Sequence, residues 1–217
     1  MSIQLNITDD VDRAADVLNN AFSPSHCSDF IFKKFFNISL DEKCSRARIK
    51  AIIHYYTALY HDLDGGDIVE VNDFDAVALF STPGKHLPPT LTGDAKFDKE
   101  FITDISKRKK EVIPEGVPYY YLFMIGRDLK GPHKKGSVKK IFETYKEKAD
   151  KDNAAIVLES IADHATSVYE YFGFKNYLTY TIGKGEVNSK GEPDSTGEGF
   201  TVKLMFYHKD GEKVLRP

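Results

Sequence analysis

The chain has 217 residues, with 30 Lys and Arg against 33 Asp and Glu, a formal net charge of -3. A length of this order suits one domain that buries its own core without staples, and 41% hydrophobic with 12% aromatic residues excludes wholesale disorder. The charge balance argues against a dedicated nucleic-acid binder, which needs a basic excess. No apolar run approaches the roughly 18 residues of a membrane helix. Met1–Asp10 lacks a basic start and an apolar core, so no secretory signal is expected. Two cysteines, Cys27 and Cys44, make neither a disulfide framework nor a zinc cluster. The expectation is a reduced, cytoplasmic protein with nuclear access open to it.

In chain order, Ile3–Ile7 alternates apolar and polar residues and predicts a strand. Asp9 and Asp10 offer cap oxygens to a helix carrying Val11, Ala14, Ala15, Leu18 and Phe22, stopped by Ser23-Pro24. A second helix is predicted over Cys27–Phe36. A third, starting at Ser39 or Asp41, carries Ile49, Ile52, Ile53, Tyr56 and Leu59. Strands follow at Asp67–Val71 and Ala76–Phe80, joined through Asn72-Asp73. Thr82-Pro83-Gly84 opens an irregular loop to about Lys96. The next helix carries Phe97, Phe101, Ile102 and Ile105 and ends in the basic run Lys107–Lys110.

The nearly continuous apolar-aromatic run Tyr119–Ile125 predicts a central strand buried on both faces. A polar loop, Gly126–Gly136, leads to a helix over Ser137–Lys151. A buried strand at Ala154–Leu158 and a short helix at Ala162–Phe172 follow, the helix closed by Gly173. Strands are predicted at Phe174–Ile182 and Phe200–Tyr207. Gly183–Gly199, with five glycines and one proline, is expected to be a long mobile hairpin loop. The result is an α/β chain with seven strands in one mixed sheet, and no composition break cuts a second domain from residues 1–217.

The segment 119–174 carries the chemistry. A cationic, glycine-bearing loop that opens a helix directly after a strand aims peptide N–H groups at one point, where the helix dipole adds positive charge. Lys130, Lys134 and Lys135 add full charges, and a diphosphate is a natural guest. The loop is neither a P-loop nor a dinucleotide fingerprint, because both spacings are absent. On loop composition alone, a solvated basic loop between strand and helix is the favoured reading. No His has metal-ligand spacing, so no metal is expected.

The flanks add a resemblance. Tyr121-Leu122-Phe123-Met124-Ile125-Gly126, Lys135-Gly136, Val157-Leu158-Glu159-Ser160 and Tyr169-Glu170-Tyr171-Phe172-Gly173-Phe174 resemble the motifs of the GCN5-related N-acetyltransferase superfamily. Among its members the chain looks most like the puromycin-type small-molecule acetyltransferases. Ala76–Gly84 resembles that group's strand with a terminal Pro-Gly. The likeness covers about two-thirds of the chain, loosely outside residues 119–174.

The resemblance implies an acyl-CoA N-acyltransferase fold, a central mixed seven-stranded sheet flanked by helices. It implies acetyl-CoA as co-substrate and direct transfer of acetyl to a small-molecule amine, in a monomer or homodimer. Met124, Ile125, Gly126 and Arg127 would present a strand edge to the pantetheine arm. His133, Lys134, Lys135, Gly136, Ser137 and Val138 would hold the diphosphate, and His164 lies where the family often contacts the cofactor. Tyr169 would protonate the departing thiolate, and Glu159 is the candidate base, with Glu70 behind it. Aromatic residues between Phe22 and Tyr60 would cover the acceptor pocket.

The loop departs from the family pattern at Leu129, His133, Lys134 and Val138 and is one residue longer. Val138 is expected to narrow the cradle, so CoA binding is expected to persist but weaken. That departure motivates the alternative of a catalytically weak or inactive acyl-CoA-binding relative with a regulatory or interaction role. A basic-patch interaction protein, resting on Lys107–Lys110 and Lys134–Lys140, is opposed by the net charge.

Overall fold

The computed structural model describes residues 3–43, 45–131 and 134–216. The elements in order are β1 (Leu5–Ile7), α1 (Val11–Phe22), α2 (His26–Phe35), α3 (Arg46–Asp62), β2 (Gly66–Val71) and β3 (Ala76–Ser81). Then come α4 (Ala95–Phe97), a π-helical stretch (Asp98–Thr103), α5 (Asp104–Val112), β4 (Tyr119–Arg127) and α6 (Ser137–Asp152). β5 (Ala155–Ser160), α7 (Asp163–Tyr171), β6 (Lys175–Ile182), β7 (Phe200–Tyr207) and a short 3₁₀ turn (Gly211–Lys213) complete the chain. The strands form one seven-stranded sheet in the order β1-β2-β3-β4-β5-β7-β6. This is the mixed α/β architecture that the sequence predicts.

The chain divides into two compact units, residues 1–24, 45–87 and 118–156, and residues 25–44, 88–117 and 157–217. In the first unit, β1 to β4 pair antiparallel in sequence order. Between β3 and β4 the register slips, Leu79 facing Met124 and Phe80 facing Leu122, so Phe123 is the extra residue of a bulge. α6 lays Tyr145 flat on Phe80, with ring centroids 3.7 Å apart, and edge-on to Tyr120. On the opposite pleat of β4, Tyr60 of α3 stacks on Phe123 at 5.2 Å. Gly126 lets α1 approach the strand closely, since a Cβ there would stand 2.6 Å from that of Ala21.

The fully buried strand is β3, not β4. Burial along β4 alternates, with Tyr120, Leu122, Met124 and Gly126 buried and the odd-numbered residues half-buried. Its continuous apolar run therefore overstates its cover: aromatic rings of α3 shield the odd face only in part.

In the second unit, β6 and β7 form an antiparallel hairpin. Phe30 of α2 packs edge-on against Phe97 and Phe200 in a core with Ile182, Val187 and Val202. The connection 183–199 is folded rather than loose. Val187 bridges to Pro193, Gly185 N–H donates to the Gly197 carbonyl, Gly199 N–H donates to that of Val187, and the Val187 side chain is buried. Its glycines turn the chain, and one apolar residue anchors it.

Helix boundaries follow local chemistry. Asp10 caps α1 by accepting from Arg13 N–H at 3.0 Å. α3 starts at Arg46, later than Ser39 or Asp41, because Ser45 is its cap, accepting from Arg48 N–H. Among the described residues, no helix is long and apolar enough to cross a membrane.

Candidate functional site

The first unit holds the candidate anion turn. Gly136, the N-cap of α6, carries φ +96°, and no side chain caps the helix. An L residue adopts that φ only under strain. A helix start without a side-chain acceptor offers first-turn N–H groups and the positive end of its dipole to an anion. Lys134 and Lys135 are exposed, Val138 is half-buried and Ser137 is buried. His133 lies outside the described residues.

Lys134 is already engaged inside the unit. Its N–H donates to Asp75 Oδ1 at 3.2 Å and its ammonium to the Asn72 carbonyl at 2.7 Å. Asn72 Nδ2 donates to Ser137 Oγ at 2.9 Å. The end of β4, with Met124, Ile125, Gly126 and Arg127, meets the same turn, because Asp128 N–H donates to the Asp75 carbonyl at 2.9 Å. The predicted strand edge and the predicted diphosphate turn therefore converge on Asp75.

The second unit holds Tyr169, Glu159 and His164. Tyr169 sits on the last turn of α7, where Phe174 N–H donates to its carbonyl and Gly173 N–H to that of Glu170. With Gly173 at φ +88°, this is a Schellman termination. The rings of Tyr169 and Phe174 lie 6.1 Å apart, the apolar contact that accompanies such a cap. Tyr169 is half-buried, and desolvation pushes its phenol up to about 12. Tyr171 is mostly exposed.

Glu159 is half-buried and forms an ion pair with Lys109 of α5 at 2.7 Å. Beside it, the Tyr180 hydroxyl is buried, and burial first, then the Glu159 charge, hold it well above an ordinary phenol. No sequence motif marks Lys109, which lies in a basic run, or Tyr180, which lies on the edge strand β6. His164 is exposed on the first turn of α7. Next to it, a cavity of about 290 Å³ is lined by Ser160, Ala162, Asp163, Thr166, Phe200 and Lys203, among others.

Glu70 does structural work: it is buried, accepts from Phe74 N–H at 3.0 Å and bonds Asn6 Nδ2. The aromatic residues expected around an acceptor pocket divide between the units. Phe30 and Phe32 are core, Phe35 packs on Phe97 and Phe101, and Tyr56 and Tyr60 pack on Phe123. The basic run is tied down as well, Lys107 and Arg108 pairing with Glu111. Among the described residues, no group of three or more His, Cys, Asp or Glu gathers as metal ligands do.

A family model described as the YOR012W acetyl transferase domain matches residues 6–86. The uncharacterized protein YDR391C of Saccharomyces cerevisiae is 52% identical over 216 residues, spanning 100% of this chain and 91% of its own. Among solved structures, arylalkylamine N-acetyltransferase 2 from Aedes aegypti superposes with a TM-score of 0.59 at 15% identity, over 96% of this chain and 99% of that one. The chain belongs to the GCN5-related N-acetyltransferase superfamily. Another solved structure with this fold is the C-terminal condensation domain of Ebony in complex with beta-alanyl-dopamine, with a TM-score of 0.63 at 11% identity over 96% and 99% of the two chains. The matching family model and the shared fold are both those of acetyltransferases.

Proposed function

We propose that residues 1–217 work as one N-acetyltransferase domain that moves an acetyl group from acetyl-CoA to a small-molecule amine. The observation that carries this reading is the α6 start, opened by Gly136 at positive φ and left without a side-chain cap, directly after the bulged strand β4. Exposed Lys135 adds charge to that turn, and the β4 residues Met124–Arg127 would pair with the pantetheine arm. The Aedes enzyme's arylalkylamine and Ebony's beta-alanyl-dopamine suggest an amine with an aromatic arm.

In the reaction, the amine nitrogen attacks the thioester carbonyl. The N–C bond forms, the C–S bond breaks, the leaving thiolate takes the Tyr169 proton, and the excess proton on the new amide nitrogen returns to the Tyr169 phenolate. A phenol held near 12 stays protonated through the neutral range, so the proton is on the hydroxyl when the thiolate leaves. Glu159 receives the ammonium proton directly or through water once its pair with Lys109 opens.

One observation favours a second reading, a catalytically weak acyl-CoA-binding relative. The Lys134 amide and ammonium are committed to Asp75 and Asn72, which leaves the turn fewer donors for a diphosphate.

The test is a thermal melt with acetyl-CoA, followed by free-thiol detection across a panel of arylalkylamines, polyamines and amino acids. At 100 times Kd, acetyl-CoA should stabilise the fold by about 2.7 kcal/mol. For a chain of this size that is roughly 5–10 °C in Tm. Thiol release with at least one amine is the expected result. Stabilisation without release supports the second reading, and no stabilisation by acetyl-CoA overturns both.

A further inference from the structure

The β2–β3 connection is the most strained segment of the first unit. Asn72, Asp73 and Phe74 all lie in the left-handed region, with φ of +56°, +59° and +64°. Asn and Asp tolerate that region, whereas a bulky residue such as Phe rarely enters it. Three in succession persist only where surrounding contacts over-determine them.

Those contacts are present. Phe74 is buried, its N–H donates to the carboxylate of Glu70, and its ring lies 4.1 Å beneath the guanidinium of Arg13. The same guanidinium pairs with Asp73 at 2.8 Å. Asn72 N–H donates to the Gln4 carbonyl at 3.3 Å.

The held turn faces the start of α6. Asn72 is bonded to both sides of Gly136: its carbonyl accepts from the Lys134 ammonium, and its side-chain amide donates to Ser137 Oγ. Ser137 Oγ in turn donates to the Lys134 carbonyl at 3.3 Å, closing a small ring of polar contacts around the Gly136 peptide. Asp75 brackets the whole loop, accepting Asp128 N–H on its carbonyl and Lys134 N–H on its carboxylate. Its second oxygen, Oδ2, is buried with no hydrogen-bond partner among the described residues.

We propose that the strained Asn72–Asp75 turn is the positioning element of the diphosphate cradle, and that Asn72 is its principal positioning residue. It fixes the Gly136 peptide and the first turn of α6 before ligand arrives, so that the cradle is not ordered at the ligand's expense. This inference rests on the reading of that turn as the CoA diphosphate site.

The test is Asn72→Gly in the full chain. Glycine keeps φ +56° without strain and removes the side-chain amide with its one bond to Ser137, so the ligand-free melting temperature should fall by only a few degrees. CoA affinity, measured by calorimetry, should fall about fivefold, the scale of one neutral hydrogen bond. Binding of pantetheine, which has no diphosphate, should be unchanged. Ser137→Ala should weaken CoA binding to a similar degree, and the double variant should be no worse than the poorer single one.

If CoA and pantetheine weaken together, or if CoA affinity stays at the wild-type value, the positioning role is wrong. If the wild-type chain binds no CoA at all, the acetyltransferase reading falls, and this inference falls with it.

Discussion

Lys34 offers the sharpest test of what holds the second unit together. Its side chain is only 10% exposed, and its ammonium reaches Asp94 Oδ2 at 2.6 Å and also Glu186 Oε1. One cation thus joins α2, the residue that caps α4 and the 183–199 connection. Lys34→Met keeps the apolar stem and removes the charge, leaving two carboxylates without their main partner. Loss of one member of a fully buried pair costs roughly 3–5 kcal/mol. Asp94 and Glu186 are 31% and 25% exposed, and Lys96 still reaches Glu186 at 3.2 Å. Water and Lys96 recover part of that loss, so about 2–3 kcal/mol is expected, or roughly 4–12 °C in Tm.

The pH dependence of that loss has a definite sign. The hydrogen bond from Lys34 lowers the Asp94 carboxyl. Burial works against the Lys34 charge, but its bonds to Asp94 and Glu186 outweigh it and raise the ammonium. The Asp94 contribution is therefore complete above the ordinary carboxylate range and is lost as pH falls through its depressed value. The Lys34 contribution is complete below the ordinary ammonium value and is lost as pH rises through its raised one. The gap in Tm between wild type and variant should be widest near neutrality and close toward acid. Proteolysis within 183–199 should quicken, and Lys34→Met with Asp94→Asn and Glu186→Gln should recover more than half of the lost Tm. A Lys34→Met protein that melts within about 1 °C of wild type at pH 7 would refute the account.

Three further predictions concern the candidate site. Tyr169→Phe should lower turnover about 100-fold while leaving the acetyl-CoA melting shift intact, since a positioned acid contributes on that scale. Because burial holds the phenol near 12, wild-type turnover should show no alkaline loss from Tyr169 between pH 7 and 10, and a fall there that Tyr169→Phe abolishes would contradict its burial. Gly136→Ala forces φ +96° on an L residue and places a methyl 2.7 Å from Ile3 Cδ1. It should cost about 1–2 kcal/mol and weaken CoA binding, and a variant with wild-type Tm and affinity would exclude the proposed cradle geometry.

Features carried by neighbouring residues were legible in the sequence. Asp10 caps α1 three residues before Arg13, Gly173 ends α7, and β7 buries the alternating Val202, Leu204 and Phe206. What was not legible depends on partners far along the chain. Lys34 and Glu186 are 152 residues apart, and Lys134 and Asp75 are 59. Glycine content suggested that 183–199 moves, but the buried side chain of Val187 and the bond from Lys34 to Glu186 pin it. The apolar run of β4 suggested two covered faces, and only the placement of α3 reveals that one stays half-open. Asn72-Asp73 read as an ordinary turn, because the left-handed φ of Phe74 follows from the contacts of Arg13 and Glu70.

The Tyr169–Phe174 motif shows why a short match can be both right and ambiguous. A Schellman termination needs a residue able to take positive φ at C′ and favours apolar contact between C3 and C″. Gly173, Tyr169 and Phe174 fill those places. The spacing that resembles a catalytic signature is thus also the spacing that ends a helix, and a helix of no catalytic use could carry it. The cap uses the Tyr169 carbonyl and ring, whereas acid catalysis uses its hydroxyl. Phenylalanine preserves the carbonyl and the ring and deletes the hydroxyl alone. A Tyr169→Phe chain should therefore melt like wild type if the position serves only the cap or serves both roles, and turnover then separates the two: retained activity leaves the cap, and lost activity adds the acid.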